Sequence, residues 1–244
     1  MLLFKASFHF APNTVEFIQI YLYGCEVVMK IEKIKNRNIV FKFPVTDWDL
    51  NIHLIIGDQY NYLIDTGLGS LSIAPIKEYL KDNNKPVIVI NTHYHWDHVW
   101  GNHVFADHTI IAHTRCRELI AENWEETINK HRQFIKGEAR LCLPNLVFED
   151  GLYFPDDKIR IFYTPGHTID SISVLDEVEK VLDVGDNIGD NLDEIVPNID
   201  TQMQVYMDTV LKYQQIDFDT CVSGHNVVLP KEIFKRVLQE LQQQ

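Results

Sequence analysis

The chain is predicted to be a mixed α and β protein, α/β in outline and α+β in how its elements are grouped. Three observations predict this. Short β-branched runs such as Val87-Ile88-Val89-Ile90 read as buried strands. A long stretch from Thr114 to about Ile135 carries Leu119, Ile120, Trp124 and Ile128 at three- and four-residue spacings, the mark of one apolar helix face. The order strands-then-helices occurs twice along the chain. With 244 residues, 45% hydrophobic and 23% charged, the chain is long enough for one large core and has an ordinary globular composition.

From the N-terminus, residues 1–28 read as an extension and residues 29–244 as a single domain. Phe17 to Cys25 is apolar but too short to span a bilayer. Leu22-Tyr23-Gly24-Cys25 has the outline of a lipid-attachment box, yet Pro12, Asn13 and Glu16 precede it and only Lys5 is basic, which makes a poor signal peptide. Asn38–Phe43 and His53–Ile56 read as strands, and Gly57-Asp58 as a hairpin turn into Tyr60–Ile64. Ser72–Leu80 reads as a helix with Pro75 in its first turn. Val99–Phe105 is an ambiguous stretch able to open a helix, Thr109–Ala112 is a strand, and Thr114 is placed to cap the long helix. In the second half, strands fall near Lys158–Tyr163, Ser171–Leu175, Lys180–Val184 and Thr220–Val222. Thr201–Tyr213 and Lys231–Leu241 are helical, with Pro230 just before the last.

The chemistry concentrates in Thr92-His93-Tyr94-His95-Trp96-Asp97-His98, just past a predicted strand. Neutral imidazoles and carboxylates hold borderline divalent metals such as zinc. In extended chain, residues two apart point the same way, so His93 and His95 can grip one metal. Asp97 and His98, after the chain turns, can face a second. Three later segments, Thr164-Pro165-Gly166-His167, Gly185-Asp186-Asn187 and Ser223-Gly224-His225, each place a His or Asp after a strand and beside a turn-forming Gly. Singly, each is a common turn; with the first motif they supply enough ligands for two metals.

These motifs, in this order and with Leu63-Ile64-Asp65-Thr66-Gly67 ahead of them, resemble the metallo-β-lactamase-fold hydrolases from about Met29 to the C-terminus. The resemblance implies a four-layer αββα sandwich with the metals at one rim between two sheets. It implies that His93, His95 and His167 hold one metal, that Asp97, His98 and His225 hold the other, and that Asp186 bridges both. In that family Asp65 supports the ligands without binding metal; from the residues alone, Asp65 is equally a turn-capping Asp. Two residues depart from the pattern: Trp100 precedes Gly101 where the family has Gly-Gly, and Asn226 follows the last His where it has Gly. Asp183 stands in a strand where an apolar residue is the family habit, and the pleat puts it opposite to Asp186.

The expected activity is that of a dinuclear hydrolase in which a metal-bridging hydroxide attacks a small ester, thioester, lactone or amide, with Asp97 orienting the nucleophile and moving its proton. Two divalent ions are expected, zinc first, with iron or manganese as alternatives. The competing expectation is a mononuclear iron dioxygenase of the persulfide type on the same scaffold. The net charge of −13 disfavours a nucleic-acid surface, so the expected partner is a small-molecule substrate, with neither nucleic acid nor membrane. Cys25, Cys116, Cys142 and Cys221 are widely spaced without Cys-x-x-Cys and read as reduced thiols of a cytoplasmic protein.

Overall fold

The computed structural model describes the backbone of residues 14–22 and 25–243, and side chains from residue 29 onward. Among the described residues fourteen strands and five α-helices follow one another as β1 (Thr14–Leu22), β2 (Cys25–Lys33), β3 (Asn38–Pro44), β4 (Asp49–Ile56), β5 (Asn61–Ile64), α1 (Ser70–Tyr79), β6 (Val87–Ile90), α2 (Trp96–Val99), β7 (Thr109–His113), α3 (Thr114–Lys130), β8 (Leu146–Phe148), β9 (Gly151–Phe154), β10 (Ile159–Tyr163), β11 (Ile172–Asp176), β12 (Val181–Asp183), α4 (Met203–Gln215), β13 (Thr220–Val222), β14 (Leu229–Pro230) and α5 (Ile233–Leu241). They form an eight-stranded sheet ordered β1 to β8 and a six-stranded sheet ordered β14-β13-β12-β11-β10-β9.

Period-two burial makes the layers. From the first sheet Tyr62, Ile64, Ile88, Ile90 and Ile111 pack against Ile159, Ile161, Ile172 and Val174 of the second. The alternate residues Leu63, Val89 and Ile110 face outward into a separate cluster with Ile73 and Ile76 of α1. The outer face of the second sheet buries Leu175 and Leu182 against Tyr206 and Val210 of α4 and Phe234 and Val237 of α5. The result is the expected αββα sandwich, each sheet apolar on both faces.

Several boundaries differ from expectation, for local reasons. α1 starts at Ser70, so Pro75 lies inside the helix rather than in its first turn. α3 is capped not by Thr114 but by His113, whose Nδ1 accepts from the Arg115 N–H at 3.1 Å. β8 and β9 are short, half-exposed strands without strong alternation. Trp96–Val99 closes one helical turn inside the expected metal loop.

The boundary expected at Met29 falls inside β2. β2 meets β3 only over Lys30–Lys33, whereas β1 pairs with β2 all the way from Leu22↔Cys25 to Thr14↔Lys33. Among the described residues, the strand pairs of 14–22 and 25–28 lie within this hairpin. Of the Leu22–Cys25 motif, Tyr23 and Gly24 lie outside the described residues. Among the described residues no helix is long and apolar enough to cross a membrane. Cys116, Cys142 and Cys221 are free thiols.

Candidate metal centre

The topology brings four loops to one edge. β5 to β8 run parallel, so the loop after β6 emerges at their C-terminal rim. β10 and β12 are both antiparallel to β11, and β12 is parallel to β13, so the loops after β10, β12 and β13 also emerge together. Catalytic and ligand residues gather at such strand ends in α/β proteins. The sheets are joined there: the Ile172 N–H donates to Thr92 O at 2.9 Å, and the Asn51 amide donates to Ser223 O and Asn226 O at 2.8 and 2.7 Å.

All seven residues expected as ligands converge at this rim. His93, His95 and His167 place one ligand atom each within 4.8 Å of one another, as do His93, His98 and Asp186, and Asp97, His98 and His225. Asp186 Oδ2 is the centre: it lies 3.2 Å from His98 Nε2, 3.2 Å from His225 Nε2, 3.6 Å from His93 Nε2 and 3.9 Å from His167 Nε2. Asp97 Oδ2 stands 3.3 Å from His225 Nε2 and 3.5 Å from His98 Nε2. His95 turns Nδ1 toward His167 Nε2, 3.1 Å away.

The imidazoles are held from behind, so their inward nitrogens are committed to the centre. His98 Nδ1 donates to Asp65 Oδ2 (2.8 Å), His167 Nδ1 to Asn198 O (2.7 Å) and His225 Nδ1 to Asp49 O (2.9 Å). Asp65 also accepts from the Thr92 N–H and hydroxyl, at 2.8 and 2.7 Å, and Thr92 Oγ1 meets His93 Nδ1 at 3.1 Å. Asp65 is thus the brace of two histidines and not merely a turn cap. Beneath the loop, Asn91 and Asn102 exchange side-chain hydrogen bonds of 3.0 and 2.8 Å.

Glycine gives the cluster its room. A Cβ on Gly224 would sit 2.2 Å from Asp186 Oδ1 and 2.6 Å from His98 Cε1. Gly185, at φ 56°, takes the left-handed turn that aims Asp186 inward.

The fit to a cation rests on atoms that need one. His93 Nε2, His98 Nε2 and Asp186 Oδ1 are buried without a hydrogen-bond partner among the described residues, a costly state for buried polar atoms. Burial, then the neighbouring His98, drive His93 well below its ordinary pKa. Burial and His167 bring His95 down to about 4. Both rings are therefore neutral donors at physiological pH. Burial pushes the Asp97 carboxyl up, but His98 and His225 outweigh it and hold it at about 2. Nitrogen and carboxylate donors of this kind suit zinc, and also iron or manganese.

Trp100 is fully buried with Val99, Ala112, Cys116 and Ile120, 5.0 Å from Trp96, and is a core residue. Asp183 does not point idly away from Asp186. Its carboxylate accepts from His53 Nδ1 and from the Gly185 N–H, both at 3.0 Å. His53 Nε2 then meets Asn38 Oδ1 at 3.0 Å, and Asn38 Nδ2 donates to Asp176 and Glu179, each at 2.8 Å. This buried polar chain bridges the two sheets and ends one residue before Asp186. Sequence reasoning missed Asp49 and Asn198, which act through backbone carbonyls and leave no side-chain signal. It also missed Trp48, which packs edge-on to His225 at 5.0 Å.

The family model for the metallo-β-lactamase superfamily matches residues 45–225. The chain belongs to that superfamily. It is 29% identical over 170 residues to the acyl-coenzyme A thioesterase MBLAC2 of Bos taurus, covering 57% of this chain and 58% of that protein. The chain thus spans less than two thirds of that relative. A protein of Methanocaldococcus jannaschii named "Probable metallo-hydrolase" is 28% identical over 178 residues, covering 72% of this chain and 70% of its own. Among solved structures, the DIM-1 metallo-β-lactamase aligns with TM-score 0.70 at 18% identity, covering 88% of this chain and 97% of that one. A metallo-β-lactamase from Pontibacter korlensis aligns with TM-score 0.70 at 20% identity, covering 88% and 100%. At these identities the structures speak to the fold alone.

Proposed function

We propose that this chain is a dinuclear hydrolase of a small ester, thioester, lactone or amide. His93, His95 and His167 would hold one ion and Asp97, His98 and His225 the other, with Asp186 placed between the two sets. The observation that carries the reading is the position of Asp186 Oδ2, which faces Nε2 atoms of both sets at 3.2–3.9 Å. The two sets together leave more donors than a single ion uses.

When bound, divalent cations polarise the scissile carbonyl and lower the pKa of water toward neutrality. The chain's own residues do the rest. Asp97, whose Oδ2 lies 3.3 Å from His225 Nε2, would orient the attacking water and accept its proton at a carboxylate oxygen. Asp65 and Thr92 hold His98 and His93 in one orientation, so no reorganisation is needed as charge develops. The net charge of −13 supports a small-molecule substrate over nucleic acid, and the three free thiols support a cytoplasmic site of action.

The test is a hydrolysis screen over lactones, thioesters, phosphodiesters and a chromogenic β-lactam, with wild type and Asp97→Asn. Turnover of a carbonyl substrate that falls at least a hundredfold in Asp97→Asn, with metal content retained, supports the reading. Oxygen uptake with a persulfide and no hydrolysis overturns it in favour of the iron dioxygenase.

A further inference from the structure

The metal centre opens into a cavity of about 310 Å³ that also takes in Asp190, Glu194 and Val196. A second cavity, about 440 Å³, continues from it, since His225 and Asp190 line both. Its far walls include Lys42, Asp47, Trp48 and Asp49. Together they have the size of a small-molecule site.

The charges of this cavity are one-sided. Apart from the seven clustered residues, the ionisable side chains lining it are Asp47, Asp49, Asp190 and Glu194 against a single base, Lys42. That base is already engaged: Lys42 Nζ lies 3.5 Å from Asp49 Oδ2. Among the described residues no arginine lines either cavity. Trp48, half-buried, adds an aromatic surface in the outer part, edge-on to His225 and 6.2 Å from Trp96. Carboxylates beside an indole are a surface for a cation, by Coulomb attraction and by cation–π contact. A phosphate-bearing carrier needs lysines or arginines where it lies, and the outer cavity offers it repulsion instead.

We infer that the substrate carries a positive charge on the portion that extends away from the scissile bond into the Asp47–Trp48–Asp190 cavity, and that polyanionic thioesters of the coenzyme A kind are excluded. The inference rests on the proposed hydrolase reading for its reaction and not for its charge preference. It separates this chain from the acyl-coenzyme A thioesterase to which part of it is similar.

The test has two arms, both on the metal-loaded protein. In the first, three butyryl thioesters differ only in the charge of the thiol: thiocholine (positive), N-acetylcysteamine (neutral) and coenzyme A (negative). Thiol release is normalised to each compound's rate with hydroxide. At low salt, kcat/KM is expected to be at least tenfold higher for the cationic thioester than for the neutral one, and at least a hundredfold higher than for the coenzyme A thioester. The ratios should shrink at 0.5 M salt as the field is screened (the Debye length drops to a few Å at molar salt). They should also shrink in the double variant Asp47→Asn, Asp190→Asn. In the second arm, choline and coenzyme A are titrated against tryptophan fluorescence, with Trp48→Phe as control. Saturable quenching by choline, absent in Trp48→Phe and weakened at least tenfold in the double variant, supports the inference. Equal or tighter binding of coenzyme A, or no response to choline, overturns it. If no thioester is cleaved, the thioester branch of the proposed function fails, while the fluorescence arm still decides the charge preference.

Discussion

Asp183→Ala removes the carboxylate that two buried donors share. His53 Nδ1–H and the Gly185 N–H both reach it at 3.0 Å, and His53 and Asp183 are almost wholly buried. Neither donor has water to turn to. A buried donor stripped of its acceptor costs about 1–3 kcal/mol, so the pair gives a loss of roughly 2–6 kcal/mol. That is a large part of the ~5–15 kcal/mol by which a domain is stable. The damage also reaches the metal centre, because Gly185 is the left-handed residue that aims Asp186. Asp183→Asn keeps an acceptor for the Gly185 N–H and is expected to lose about half as much. The assay is guanidinium unfolding of the three proteins followed by far-ultraviolet circular dichroism, with metal content measured in parallel. Wild-type stability in Asp183→Ala, to within ~0.5 kcal/mol at unchanged slope, would refute the bridging role assigned to this network.

Asp65→Ala should leave the fold intact and weaken metal binding about 10- to 100-fold, because His98 loses its brace; competition with a chromogenic chelator reads this directly. Asp170 gives the pH dependence. Its carboxylate is fully buried, and burial, which outweighs the nearby Thr168 and Cys116 side chains, pushes its pKa from 3.8 up to about 6. The native state therefore binds the proton more tightly than the unfolded state, so stability is highest below about pH 4 from this group and falls as pH rises through about 6, by about 3 kcal/mol. Asp170→Asn should flatten that part of the Tm–pH curve, and an unchanged curve would remove Asp170 as its cause. A chain starting at Met29 keeps every β2–β3 pair and should still fold and bind metal; loss of its thermal transition would make the β1–β2 hairpin part of the core.

The seven clustered residues were legible because their chemistry is local. His-x-His-x-Asp-His places four of the seven residues by spacing alone, and each later His or Asp follows a strand and a glycine. The strands of the sandwich interior were legible because burial on both faces demands runs such as Val87–Ile90. What escaped was set by tertiary contacts. Asp183 is indistinguishable in sequence from a surface acid, and only the opposing sheet supplies His53 and Asn38. His113 rather than Thr114 caps α3, because the ring reaches the Arg115 N–H. Leu146–Phe148 and Gly151–Phe154 are too short and too exposed to show a period, and are strands because the sheet edges beside them need partners.

Asp186 is proposed to bridge two cations. Metal quantification per chain on protein purified without added metal, for wild type and Asp186→Asn, tests it most directly. An amide keeps the shape of the side chain but not its charge, and is a poor bridge between like charges. Two divalent ions are expected in wild type and one or fewer in Asp186→Asn, with circular dichroism unchanged. A single iron per chain in wild type, or two ions retained in Asp186→Asn, would contradict it.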